Sequence, residues 1–191
     1  MSDAVLETLR SSAEAILACE ALAEDIDSVS HRIADAFEAG HKLLVCGNGG
    51  SAAQAQHFAG ELLGRYLQSR SARAPRPAIA LSADSAVLTC IGNDYGYDDI
   101  YARQVRGLAQ AGDVLVGIST SGSSRNVLRA FEGAPKGVVK VALCGPVGEL
   151  AAQADMALRV PLEGTAAIQA AHLAVIHAIC SVLEERFALE P

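Results

Sequence analysis

Two turns rich in glycine and serine, each set between a short apolar run and a helical stretch, constrain the fold of this chain more than any other feature. Residues 43–46 are apolar and lead into Gly47-Asn48-Gly49-Gly50-Ser51. Residues 113–118 lead into Ser119-Thr120-Ser121-Gly122-Ser123-Ser124. A strand that breaks into small residues and restarts as a helix is one half of a βα unit. Further apolar runs at 78–81, 138–143 and 155–160 read as strands, with helical spacing over about 51–66, 84–92, 98–110, 124–132 and 165–187. The expected fold class is therefore α/β: a five-stranded parallel sheet flanked by helices, with right-handed crossovers and a flavodoxin-like doubly wound order. Ligands of such sheets bind beyond the carboxyl ends of the strands, where both turns fall.

Two amphipathic helices, over about 3–20 and 22–39, precede the first strand. Leu6, Leu9, Ala13, Ile16 and Leu17 mark the apolar face of the first, and Ile26, Val29, Ile33, Ala36 and Phe37 that of the second. Gly40 is placed to end the second helix. One sheet does not need both, so residues 1–40 are expected in an oligomer interface and 41–191 as the α/β core of a single domain. Hydrophobic residues are 51% of the 191 and aromatics only 4%, so the core is built mainly from Ala, Leu, Val and Ile, which suit helices on a parallel sheet. The net charge of -7 repels polyanions and argues against nucleic acid as the main partner. The N-terminus lacks the basic start and apolar run of a signal peptide, and no apolar stretch reads as the roughly 20 residues that span a bilayer. The expectation is a cytoplasmic protein with no membrane partner. Five cysteines without a C-x-x-C pair read as buried, reduced thiols.

The serine turn offers four hydroxyls, a threonine and a helix start, an arrangement that suits a phosphate group. A helix N-cap needs only one of those serines. No G-x-x-x-x-G-K-[ST] segment is present, and the 47–51 turn does not fit G-x-G-x-x-G, so neither nucleotide fingerprint applies. His57 and Glu61 are four residues apart on one helix face, a spacing that fits a plain surface pair as well as a reactive one. Gln169, His172 and His177 lie on the apolar last helix, where a core histidine is the commoner outcome. Gln169 and His177 are eight residues apart, about 12 Å of helix rise, which by itself is a weak metal signal.

Taken together, CGNGGSAAQAQHFAGELLGRY at 46–66, IGNDYGYDDIYARQV at 91–105, GDVLVGISTSGSSRNV at 112–127 and TAAIQAAHLAVIHAI at 165–179 resemble the sugar isomerase (SIS) domain family, and within it the phosphoheptose isomerases. The likeness runs in order from about residue 5 to residue 187. It implies an SIS fold and conversion of sedoheptulose 7-phosphate to D-glycero-D-manno-heptose 7-phosphate, the first step of activated (ADP- or GDP-) heptose synthesis. It further implies a homotetramer with active sites at subunit interfaces and one Zn2+ per subunit. The family's acid–base pair falls on Glu61 and His177, and its zinc ligands on His57, Glu61, Gln169 and His177. Its sugar-phosphate contacts fall on Asn48, Ser51, Arg65, Asp94, Ser119, Thr120, Ser121 and Ser124, with Gln169 shared. These residue types suit enediolate chemistry: a partly buried carboxylate can act as base, an imidazole titrates near neutrality, and zinc polarises a carbonyl. Where the family often has A-R-I-Q-E-x-H, this chain has Ala167 and Ala170 in place of the Arg and Glu. The polar stretch from Gln68 to Arg76 reads as a mobile loop longer than the family's, and its Arg70, Arg73 and Arg76 are candidates to attract phosphate. Two alternatives are a non-catalytic SIS regulator of the kind that binds a replication initiator and an isomerase of another phosphosugar. His177 together with His57 and Glu61 favours the enzyme. The G-N-G-G-S turn and the H-x-x-x-E pair favour heptose.

Overall fold

Each of the five apolar runs forms a strand in the computed structural model, which describes residues 3–67 and 73–187. They are β1 (Leu43–Gly47), β2 (Ala78–Ala80), β3 (Val114–Ser119), β4 (Val139–Cys144) and β5 (Met156–Arg159). All pair in parallel, in the order β2-β1-β3-β4-β5. This is the flavodoxin-like order expected. Gly47 stands opposite Ile118 in the β1–β3 ladder, so the glycine and serine turns leave the same sheet edge side by side.

Among the described residues seven α-helices surround the sheet: α1 (Asp3–Ala18), which packs on the last helix, α2 (Ala23–Glu38), α3 (Gly50–Leu63), α4 (Ser85–Tyr95), α5 (Ala102–Leu108), α6 (Arg125–Glu132) and α7 (Thr165–Phe187). Alternate strand residues face opposite layers, as the pleat requires. Leu43, Val45, Val116 and Ile118 pack with Ile33 of α2, Phe58 of α3 and Ile176 and Ile179 of α7. Leu44, Cys46 and Leu115 face the other way, onto Ile91, Val105, Val127 and Phe131 of α4, α5 and α6. Both faces are therefore buried, which explains why the strands read as unbroken apolar runs. Gly40 ends α2 at a φ of 80°, with its own N–H bonded to the Phe37 carbonyl and that of His41 to the Ala36 carbonyl, the Schellman arrangement that favours glycine.

The apolar face of α2 is buried within the chain, whereas α1 buries only Ala15 and leaves Leu9, Ile16 and Leu17 exposed. The stripe on α1 points out of the chain, so periodicity identified the helix but not what it faces. The helix expected over 98–110 divides into a 3-10 turn, Tyr97–Asp99, and the shorter α5, which ends where Ala109 becomes extended. Finally, α7 is 23 residues long and apolar enough to cross a membrane by length and composition. Half of that window is buried inside the chain, where α7 packs on α1, α2 and α3, so it is a central helix of the fold. The cysteines are free thiols, four buried and Cys90 exposed.

The opposite edge of the sheet is held by Asp113, whose side chain is buried. It accepts from Lys42 Nζ at 2.6 Å, from the Lys42 amide at 3.0 Å and from the Gln110 amide at 2.7 Å. Burial pushes its carboxyl up, but these bonds outweigh burial and hold it below the usual carboxylate range. A lowered folded pKa gives stability that is complete above about pH 4, the ordinary Asp value, and lost as pH falls through the folded value. Asp113→Asn should therefore reduce unfolding free energy by about 1–3 kcal/mol at neutral pH. Urea titrations at falling pH should show the gap to wild type closing below the ordinary carboxylate pKa. A gap that stays constant with pH would contradict this linkage.

Candidate active site

The helix that leaves the glycine turn and the last helix of the chain meet at three reactive side chains. His57 and Glu61 lie one turn apart on α3, with His57 Nε2 3.3 Å from Glu61 Oε1. From α7, 120 residues away in sequence, His177 brings its Nε2 to 2.9 Å from His57 Nε2. The two rings meet edge to face with centroids 5.1 Å apart. Donor atoms from all three residues lie within 4.8 Å of one another. Two imidazole nitrogens at 2.9 Å require one to donate and the other to accept, or a shared cation between them. A plain surface pair of His57 with Glu61 does not account for His177. Tyr66 closes the lower side: its ring is 6.0 Å from that of His177, and its hydroxyl is 3.0 Å from Ser181 Oγ, which itself bonds the His177 carbonyl.

The two turns form a second group at the carboxyl edge of the sheet. Ser119 Oγ is 3.0 Å from Ser124 Oγ and 3.4 Å from Ser121 Oγ, so three hydroxyls converge. Ser124 holds the N-cap position of α6, yet its hydroxyl makes no capping bond. Capping therefore does not explain these serines. Gly122 has a φ of 62°, and a Cβ there would run into the Val147 carbonyl, so the turn is compressed against the loop after β4. At the other turn the N-cap of α3 is Gly49, and Ser51 lies buried inside the first turn without capping it. Asn48 ties the turns together. It exchanges two 2.8 Å amide bonds with the buried Asn126 of α6 and accepts a third bond, 2.9 Å, from the Tyr97 hydroxyl. The Tyr101 hydroxyl donates to the Gly47 carbonyl. A cavity of about 510 Å³ opens beside Asn48 and Gly49, walled also by Ser82, Thr89 and Tyr97.

The remaining expected residues are spread around these groups. Gln169 lies at the start of α3: its amide occupies the space a Cβ on Gly50 would need, and Gln54 Nε2 bonds its carbonyl at 2.6 Å. Gly50 precedes His57 by seven residues, about 10 Å of helix rise. Thr120 lines a smaller cavity of about 260 Å³ with Ser121, Glu163 and Thr165. Arg65 and Asp94 are exposed, Arg65 with no hydrogen bond or ion pair to a described residue and Asp94 bonded only by Asn93 and Cys90. Two of the three arginines proposed for phosphate are committed elsewhere. Arg73 is buried against Glu184, and Arg76 stacks on Phe187 with its guanidinium carbon 3.6 Å from the ring centroid. Arg70 lies outside the described residues, as does most of the stretch read as a mobile loop. His172 is a core histidine: it is fully buried, and burial pushes its imidazole down to about 4 against a smaller upward pull from the Cys144 backbone.

The SIS domain profile matches residues 7–145. The chain belongs to the SIS domain family. Within that family it groups with the phosphoheptose isomerases. It is 47% identical to the phosphoheptose isomerase of Geobacter sp. (strain M21) over 193 aligned positions, covering 100% of this chain and 99% of the relative. A solved phosphoheptose isomerase from Neisseria gonorrhoeae superposes with a TM-score of 0.83 at 41% identity, covering 95% of each chain. One from Francisella tularensis gives 0.89 at 37% identity, covering 97% of this chain and 100% of the other.

In this SIS domain, sequence reasoning passed over Asn126, Tyr97, Tyr101 and Gln54. Tyr97 and Tyr101 lie in the GYDDIY segment and Asn126 just beyond the serine turn, but nothing in their spacing shows that they converge on residues 47 and 48. Asn126→Ala should lower stability by about 1–3 kcal/mol, because it removes a buried amide and leaves the part-buried Asn48 half satisfied. Thermal unfolding would check this, and an unchanged midpoint would show that the amide pair is not structural.

Proposed function

We propose that this SIS domain protein is an aldose–ketose isomerase converting sedoheptulose 7-phosphate to D-glycero-D-manno-heptose 7-phosphate, with Glu61 and His177 as its acid–base pair. One observation carries the reading: a carboxylate and two imidazoles from helices far apart in sequence lie within 4.8 Å of one another. The similarity to phosphoheptose isomerases over the whole chain supplies the substrate.

The chemistry follows from the residue types. Glu61 takes a proton from C1 of the ketose, and the electron pair left behind forms the C1–C2 double bond of an enediolate. His177 moves a proton between the two oxygens. Return of a proton to C2 gives the aldose, so no oxidant or reductant is needed. Two imidazole nitrogens and a carboxylate oxygen are donors that zinc takes, so His57, Glu61 and His177 fit that ion, with Gln169 as fourth ligand if its amide turns away from Gly50. Bound there, zinc would polarise the carbonyl and stabilise negative charge on oxygen. In this reading the serine turn, with Ser51 and Asn48 beside it, holds the phosphate, where hydroxyls and two helix starts favour an anion.

A homotetramer working in the cytoplasm completes the proposal. Its support is that Arg65 and Asp94 are exposed and bonded to none of His57, Glu61 and His177, and that Leu9, Ile16 and Leu17 of α1 are uncovered in the single chain. Residues 1–40 are then interface and 41–191 the core of one domain.

Glu61→Gln should lower kcat by roughly 10²–10⁴-fold while melting temperature and oligomer size stay at wild-type values. Turnover at the wild-type rate would remove Glu61 as the base. Ser121→Ala combined with Ser124→Ala should weaken phosphosugar binding in calorimetry at least about tenfold, the effect of losing one or two charge-assisted bonds. Zinc content should not move. Unchanged affinity would discard the serine turn as the phosphate site.

A further inference from the structure

We propose that Arg73, with Glu184, is a positioning residue for the reaction: it clamps the end of α3 to α7 and so sets the distance at which Glu61 and His177 face each other. This rests on the acid–base reading above. The guanidinium of Arg73 is 5% exposed and the carboxylate of Glu184 is 4% exposed, so both charges are withdrawn from water. Arg73 Nε donates to Glu184 Oε2 at 2.7 Å. Its Nη2 donates to the carbonyl of Glu61 itself at 2.8 Å, and its Nη1 to the carbonyls of Leu62 at 2.8 Å and Ala74 at 3.1 Å.

Those acceptors have a physical meaning. The last carbonyls of a helix have no partner within it, and the negative end of the helix dipole gathers there. Arg73 satisfies two of them with a cation, and the first belongs to the residue that carries the reactive carboxylate. At the other end of the clamp, Glu184 stands seven residues after His177, about two turns along the same side of α7. A planar guanidinium with fixed donor directions holds one helix end and one carboxylate at a set spacing, which a flexible ammonium cannot do. The Tyr66 hydroxyl to Ser181, one turn after His177, braces the same seam. Arg73 touches neither the reacting groups nor the turns, so its influence on chemistry passes through the α3–α7 spacing.

The test uses the full chain with Arg73→Lys and Glu184→Gln. Lysine keeps the charge but loses the fork. Glutamine keeps the shape and an acceptor for Nε, and it carries the test if the lysine variant does not fold. Two readouts are needed: nitrogen NMR resonances of the His57 and His177 rings, and kcat with KM for sedoheptulose 7-phosphate. The expected result is displaced resonances for both rings and a kcat lowered roughly 10- to 100-fold, with KM within about twofold of wild type. A kcat within about twofold of wild type would overturn the proposal even if the melting temperature fell, because Arg73 would then be a structural anchor only. Resonances that superpose on wild type would overturn it as well. If wild type itself does not isomerise the sugar, displaced resonances still support the clamp and the failure belongs to the isomerase reading.

Discussion

The seam between α3 and α7 is the contact on which the rest of this structure depends. Neither helix has any chemistry alone. α3 carries a histidine and a glutamate one turn apart, a pair that often serves only as surface decoration. α7 is apolar enough to pass for a membrane segment, with His177 along its length. Packing the two helices side by side brings His177 Nε2 to 2.9 Å from His57 and turns three ordinary residues into a compact set of nitrogen and oxygen atoms within 4.8 Å of one another. The apolar layer beneath, from Phe58 through Val175 to Ile179, provides the burial that holds the helices together.

A second constraint acts at the sheet edge. The parallel register sets Gly47 level with Ile118, so both small-residue turns leave the sheet together. The reciprocal Asn48–Asn126 bonds then join one turn to the helix that follows the other. The compressed backbone at Gly122, the start of α6 without a side-chain cap and the three converging serine hydroxyls gather donors at this edge. Because α3 begins at this edge and ends near the His–Glu cluster, one helix links the two small-residue turns to His57 and Glu61.

Much of this was legible in the sequence. The strands were legible because a sheet buried on both faces forces continuous apolar runs, and the turns because only small residues fit where strand becomes helix. The pairing of His57 with Glu61 follows from helical spacing. What spacing does not carry is which helix faces which, so the approach of His177 and the position of Gln169 against Gly50 emerge only from packing. The same limit applies to α1, whose apolar stripe is plain in sequence while Leu9 and Leu17 stand exposed. Arg73 shows the limit most clearly. In a polar stretch with three arginines it reads as part of a mobile loop and a candidate to attract phosphate, yet it is buried on Glu184, because the end of α3 needs donors that sequence periodicity does not reveal.

The central claim is that a carboxylate on α3 and an imidazole on α7 move protons between carbon and oxygen of one bound sugar. Isomerisation in deuterium oxide, followed by NMR, tests it most directly. Proton transfer through an enediolate predicts an aldose heptose 7-phosphate carrying solvent deuterium at C2, formed by wild type and lost when Glu61 is replaced. An aldose whose C2 hydrogen comes wholly from C1 of the ketose, in wild type and variant alike, would contradict it.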